Sequence, residues 1–115
     1  MGKVLDGYKQ FVDLANKNAE AKGLMAGWDR VIQFILTGDD NFYIEIKGGA
    51  ASITVGVHKS PNVTLKGPAD VFYKMLTREL DQTRAYFAKQ YAIEGSMSDA
   101  MKFGRIGTAV AKTQK

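Results

Sequence analysis

Between Phe42 and Val57 apolar side chains fall on every second residue, and the run is interrupted once, by Gly48-Gly49. Phe42, Ile44 and Ile46 alternate with Tyr43, Glu45 and Lys47; beyond the glycines Ala51, Ile53, Val55 and Val57 alternate with Ser52, Thr54 and Gly56. A period of two sends successive side chains to opposite faces of a strand. A Gly-Gly pair accepts the positive φ angles of a tight hairpin. The paired strands therefore have one apolar and one polar face, and a hairpin alone cannot bury the first. The rest of the chain must supply a cover for one side of a sheet.

The flanking segments supply both more sheet and the cover. Val31 to Thr37 is rich in β-branched and aromatic residues and joins the hairpin through the turn Gly38-Asp39-Asp40-Asn41. Lys59-Ser60-Pro61-Asn62 turns the chain into a shorter strand, Val63 to Lys66. The first three strands are expected to form an antiparallel meander. Val4, Tyr8, Phe11, Val12, Ala15 and Ala19 have helical spacing, which Gly23 and Gly27 are expected to break around Leu24-Met25-Ala26. After Gly67-Pro68, the spacing of Val71, Phe72, Met75, Leu76 and Leu80 predicts a helix. Asp81 to Lys89 reads as a second short helix, and Tyr91 to Glu94, closed by Gly95, as a strand. A last helix, capped by Ser96 or Ser98, carries Met101, Phe103, Ile106, Ala109 and Val110. Gly104 and Gly107 lie inside it, each at a cost of about 1 kcal/mol relative to Ala. The expected fold is one α+β domain over residues 1–115, a mainly antiparallel sheet with helices on one face.

Composition removes several functions. The chain has 115 residues, no Cys and a single His, His58. A disulfide framework, thiolate or multi-histidine metal sites and a cysteine nucleophile are excluded, and no cofactor is expected. Residues 1–99 hold twelve cations and twelve anions; the excess is Lys102, Arg105, Lys112 and Lys115. A nucleic-acid binder would not confine its positive charge in this way, so no nucleic-acid partner is expected. The basic end suits either a helix C-terminus with a solvated tail or transient contact with an anionic membrane. The first residues carry charge where a signal peptide needs an apolar run, and no stretch approaches the roughly 18 apolar residues of a membrane span. Asp6 stands where myristoylation requires Ser or Thr. The sequence closes on Lys-Thr-Gln-Lys rather than a peroxisomal address. A soluble, cytoplasmic protein is expected.

No set of reactive groups emerges. There is no phosphate loop ending Gly-Lys-Ser/Thr and no Gly-x-Ser-x-Gly elbow. Asp39-Asp40-Asn41 lacks the spacing and glycine of a calcium loop. His58 is expected at an exposed edge, Tyr43 and Lys47 on the solvated face, and Asp29 and Arg30 paired or solvated at a strand start. What remains is apolar: Met25, Met75, Met97 and Met101 share the helical parts with Phe72, Tyr86, Phe87 and Phe103. Such stripes serve as plain core or line a pocket for ligands of variable shape, to which Met adapts. Gly104 and Gly107 fit either a locally weakened lid or a close approach to a neighbouring element.

Several stretches together resemble the sterol carrier protein type 2, or non-specific lipid-transfer, family. The helix and turn Ala69-Asp70-Val71-Phe72-Tyr73-Lys74-Met75-Leu76-Thr77-Arg78-Glu79-Leu80-Asp81 follow the strand Asn62-Val63-Thr64-Leu65 as they do in that family. Ala85 to Gly95, reading AYFAKQYAIEG, resembles its signature before the last strand, and Ser98 to Phe103 resembles its closing helix. Val31 to Phe34 and Phe42 to Gly49 are similar to its first hairpin. Ala88 stands where the family often has Gly, and without a peroxisomal ending the chain resembles a freestanding, prokaryotic-type member.

The resemblance implies a five-stranded sheet and helices enclosing an apolar tunnel. It implies non-catalytic binding of a fatty acid, fatty acyl-CoA, phospholipid or sterol-like lipid. The lining candidates are Phe72, Met75, Leu76, Phe87, Met101, Phe103, Ile106 and Val110. Lys102 and Arg105 are candidate head-group or membrane contacts. Two other readings stay open. One is a protein-interaction module or an accessory domain for a lipid-metabolising enzyme. The other is a small cone-shaped isomerase or dehydratase, whose pocket would need inward-facing acids and bases, where this chain has apolar inward positions.

Overall fold

In a computed structural model, which describes residues 3–112, the elements follow one another as α1 (Lys3–Lys17), α2 (Ala19–Met25), β1 (Arg30–Thr37), β2 (Phe42–Lys47), β3 (Ala50–Val55), β4 (Val63–Pro68), α3 (Ala69–Leu76), α4 (Gln82–Phe87), β5 (Ala92–Gly95) and α5 (Met97–Lys112). The sheet order is β3-β2-β1-β4-β5. The expected meander forms, with Lys47 opposite Ala50 across Gly48 (φ 61°) and Gly49 (φ 78°). Both glycines have the left-handed backbone that a two-residue hairpin loop of this hand requires. β4 pairs antiparallel with β5 but parallel with β1, so the sheet is mixed and mostly antiparallel.

The parallel pairing obliges the chain to cross from one edge of β2 to the far side of β1. It does so in residues 56–62, because β3 ends level with Phe34 while β4 begins level with Ile32. Gln33 lies buried beneath this crossover, 1% exposed, on the face of β1 opposite the helices. Its amide donates to the carbonyls of Phe42 and Gly56, both at 3.0 Å, and accepts from the His58 backbone N–H at 2.7 Å. A buried polar side chain is tolerable when it is satisfied in this way. The third strand therefore ends two residues earlier than its alternation suggests. Gly56 (φ 123°) begins the crossover and leaves Val57 66% exposed. His58 is half-buried, edge-on to Tyr43.

The N-terminal helical region also differs from expectation. The break falls at Asn18, and a new helix then runs through Gly23 to Met25. Asn18 caps it by accepting from the Ala21 N–H at 2.9 Å, and its amide reaches the Ala109 carbonyl on α5. Asn favours such a cap over a helix interior. Arg30 pairs with Asp99 at 3.0 Å, not with its neighbour Asp29, whose carboxylate accepts from Gly48 N–H. Asp99 is buried and also accepts from the Trp28 indole, which ties the start of α5 to β1. Ser96, rather than Ser98, caps α5.

Ile32, Phe34, Phe42, Ile44, Ile46, Val63 and Leu65 present the buried face of the sheet to the helices. Phe34 is its centre: it stacks on Phe42 at 4.7 Å and meets Tyr8, Phe72 and Phe103 at 5.0–5.9 Å between ring centroids. Among the described residues no helix is long and apolar enough to cross a membrane.

Candidate functional site

Packing α1, α3 and α5 over β4 leaves a cavity of about 260 Å³ above the aromatic core. Tyr8 and Phe11 of α1, Leu65 of β4, Phe72, Met75 and Leu76 of α3, Tyr91, and Phe103 and Val110 of α5 form its apolar walls. Exposed Gln10, Thr77 and Arg78, with half-buried Gln82, mark its mouth. Three glycines also line it, Gly7, Gly104 and Gly107. A Cβ on Gly7 would coincide with the Leu76 side chain, and one on Gly104 would meet the Gln82 amide at 2.7 Å. A Cβ on Gly107 would have only the end of the Arg78 guanidinium within 4 Å, at 3.8 Å. Gly104 thus brings the α5 backbone close to the start of α4, as the close-approach reading anticipates, whereas Gly107 has room for a side chain.

Polar residues share the lining with the apolar ones: Gln10, Tyr73, Thr77, Arg78 and Gln82, beside Tyr8 and Tyr91. Tyr91 donates to the Gln82 carbonyl at 3.2 Å. Burial pushes its phenol up to about 12, with Gln82 working in the opposite direction and Tyr86 and Asp81 adding to the rise. Tyr8 is 7% exposed, and its hydroxyl has no hydrogen-bond partner among the described residues. Burial raises the Tyr8 phenol well above its ordinary value, Tyr91 raises it further and the Arg78 charge opposes the rise. Both tyrosines are held neutral at physiological pH. Arg78 stands just past Thr77, the C-cap of α3, and has φ 69°. Its N–H caps back to the Met75 carbonyl at 3.2 Å.

Phe72, Met75, Leu76, Phe103 and Val110, among the eight predicted lining residues, come together on the cavity wall. Ile106 is buried in the core without bordering the cavity. Met101 is 50% exposed and Phe87 75% exposed, so neither borders it. The cause for Phe87 is the length of α4: the helix ends at this residue, and the chain then turns through Lys89 (φ 61°). Phe87 lines instead a shallow surface groove with Lys66, Lys89 and Ile93. Met101 occupies the outer side of α5, between the inward positions Ala100 and Phe103. Tyr8, Phe11, Leu65, Tyr91, Arg78 and Gln82 border the cavity without having been singled out for it. Helical spacing does place Tyr8 and Phe11 inward; nothing in the sequence separates wall from core. Of the basic residues, Lys102 lies 5.0 Å above the Trp28 ring and Lys112 pairs with Glu20. Arg105 is exposed, and Lys115 falls outside the described residues.

The sequence model of the SCP-2 sterol transfer family matches residues 9–107. Among curated proteins no sequence matches. The fold is similar to the sterol carrier protein domain 2 of Helicoverpa armigera, with a TM-score of 0.74, 19% identity, and 94% of this chain and 88% of that one covered. It is also similar to palmitated SCP2L2 from Aedes aegypti, with a TM-score of 0.73, 15% identity and 93% of each chain covered. The sec-alkylsulfatase Pisa1 from Pseudomonas sp. contains a similar region, with a TM-score of 0.68 and 17% identity; 88% of this chain aligns, spanning 16% of the sulfatase.

Proposed function

The chain belongs to the SCP-2 sterol transfer family, and from that premise we propose that it binds and carries one hydrophobic ligand in the cavity between α1, α3 and α5 without altering it chemically. The ligand is a fatty acid, fatty acyl-CoA, phospholipid or sterol-like lipid, and the carrier works in the cytoplasm. The observation that carries the reading is a cavity of about 260 Å³ with apolar side chains such as Phe11, Leu65, Phe72, Leu76 and Phe103 in its walls and a mouth at the surface. At about 30 Å³ per water-sized group, such a space accepts roughly nine methylenes. Each is worth about 0.8 kcal/mol when moved out of water, roughly 7 kcal/mol before the cost of ordering the chain. Among the described residues the lining includes no Asp, Glu or His, and burial moves the two tyrosines still further from ionisation. This supports carriage over acid–base chemistry. The palmitated relative supports an acyl chain as the ligand.

Native mass spectrometry of the protein from its host, followed by organic extraction, tests the reading. A fatty acid or phospholipid at near-unit occupancy is expected. An empty protein that also fails to bind a fluorescent fatty-acid probe would overturn it. Membrane delivery through Lys102 and Arg105 belongs to the same proposal: their reversal to Glu is expected to slow transfer to anionic vesicles, and unchanged transfer would remove that role. A second reading, an accessory domain for a lipid-metabolising enzyme, draws on the sulfatase, whose similar region sits within a much longer chain. Copurification with an enzyme at fixed stoichiometry would favour it.

A further inference from the structure

We propose that Arg78 anchors the anionic head of the bound chain, so that the ligand is a single-chain amphiphile with an acidic head at the mouth and its tail against Phe72, Leu76 and Phe103. This rests on the carrier reading and narrows it. Arg78 is the one charged residue among the described residues that line the cavity. Among the described residues no carboxylate lies within ion-pair distance of it. Its position is held from the opposite wall: one Nη donates to the Thr108 hydroxyl of α5 at 3.2 Å, while that hydroxyl donates to the Gly104 carbonyl at 3.2 Å. The guanidinium comes within 3.8 Å of where a Cβ on Gly107 would stand, which places it against the α5 backbone at the mouth. One bond to Thr108 leaves most of the five N–H donors of Arg78 free, in a planar fork that matches a carboxylate or phosphate.

Two further features make this a built site. The first is the backbone. The residue just after a helix in left-handed conformation is usually Gly, because a side chain there is strained. Arg78 holds that conformation at φ 69°. Helix termination is thus better served by Gly, and what Arg adds is its side chain at the mouth. The second is Tyr8, a cavity-lining residue whose hydroxyl has no protein partner among the described residues and is not sealed from the cavity, and whose phenol responds to the Arg78 charge. It is a donor available to the same oxyanion. One cation and one hydroxyl suit a head of one or two negative charges, not the several phosphates of an acyl-CoA.

The test compares dodecanoate, dodecyl phosphate and dodecanol as ligands of the wild-type chain, Arg78→Gln and Arg78→Gly, with affinities from calorimetry and melting temperatures measured alongside. The wild type is expected to prefer at least one of the anions to dodecanol roughly tenfold or more, as a charge-assisted bond allows; whichever anion binds tighter identifies the head as carboxylate or phosphate. Both variants are expected to lose that preference while retaining dodecanol. Arg78→Gly should melt no lower than wild type, since it relieves the left-handed backbone. Equal wild-type binding of all three ligands, or equal weakening of all three in the variants, would overturn the anchor and leave the carrier standing. Failure of every ligand to bind wild type would overturn both.

Discussion

Replacing Gly107 with Leu should strengthen the fold and weaken the ligand complex, because the residue is at once a helix interior position and a piece of cavity wall. Its Cβ would meet nothing closer than 3.8 Å, and that atom is the end of a flexible arginine. Leu is favoured over Gly inside a helix by about 0.8 kcal/mol, so the melting temperature should stay or rise. The four added carbons, at about 30 Å³ for each water-sized group, would take roughly half of the 260 Å³ available. About four methylenes of the ligand would then lose their place, at about 0.8 kcal/mol each, or roughly 3 kcal/mol in all. That is a loss of about two orders of magnitude in affinity. Displacement of a fluorescent fatty-acid probe by dodecanoate measures the second effect, and a thermal melt the first. A Gly107→Leu protein that melts normally and binds dodecanoate as tightly as wild type would refute the reasoning. It would place the ligand elsewhere.

Other expectations concern the frame that holds the cavity. Phe34→Ala removes a ring with 0% exposure that touches four other rings, and should cost about 3–5 kcal/mol in denaturant unfolding. Gln33→Ala leaves the Gly56 carbonyl and the His58 N–H without their partner; a loss of about 2–3 kcal/mol is expected, with faster amide exchange confined first to residues 56–62. The buried tyrosines favour their neutral form in the fold, so they stabilise the protein fully below the ordinary phenol range, near pH 10, and lose that contribution as pH rises from there toward 12. Melting temperature should therefore fall over that interval, less steeply in Tyr91→Phe; parallel curves would contradict it.

The hairpin was legible because its two cues, alternation and a Gly-Gly turn, are both local. The α+β class and the helical cover followed from the same alternation, since one apolar face demands a covering layer. The partner of β4 was not legible: its parallel pairing depends on a crossover that Gln33 secures, and a single amide in an apolar strand gives no sign of the hydrogen bonds it makes to Gly56 and His58. Asn18 shows the competition at short range. Its neighbours continue the helical period, but its side chain serves better as a cap than as a helix interior residue.

The site was legible in part for a related reason. Periodicity reports which side of a helix faces inward, so Phe72, Met75, Phe103 and Val110 could be found. It does not report whether an inward residue meets packed core, as Ile106 does, or empty space. Phe87 failed because a six-residue helix is too short for its period to decide a face. Arg78 escaped notice because its significance lies in backbone conformation: only φ 69° marks it as occupying a position better suited to Gly.

The central claim is that an acyl chain lies between α1, α3 and α5. Paramagnetic broadening of backbone amides by a fatty acid carrying a spin label near its methyl end measures this directly. The amides of Tyr8, Phe72, Phe103 and Gly107 should broaden at one equivalent, while those of Phe87 and Lys89 at the surface groove keep their intensity. Broadening centred on Phe87 and Lys89, with the cavity residues unaffected, would contradict the account.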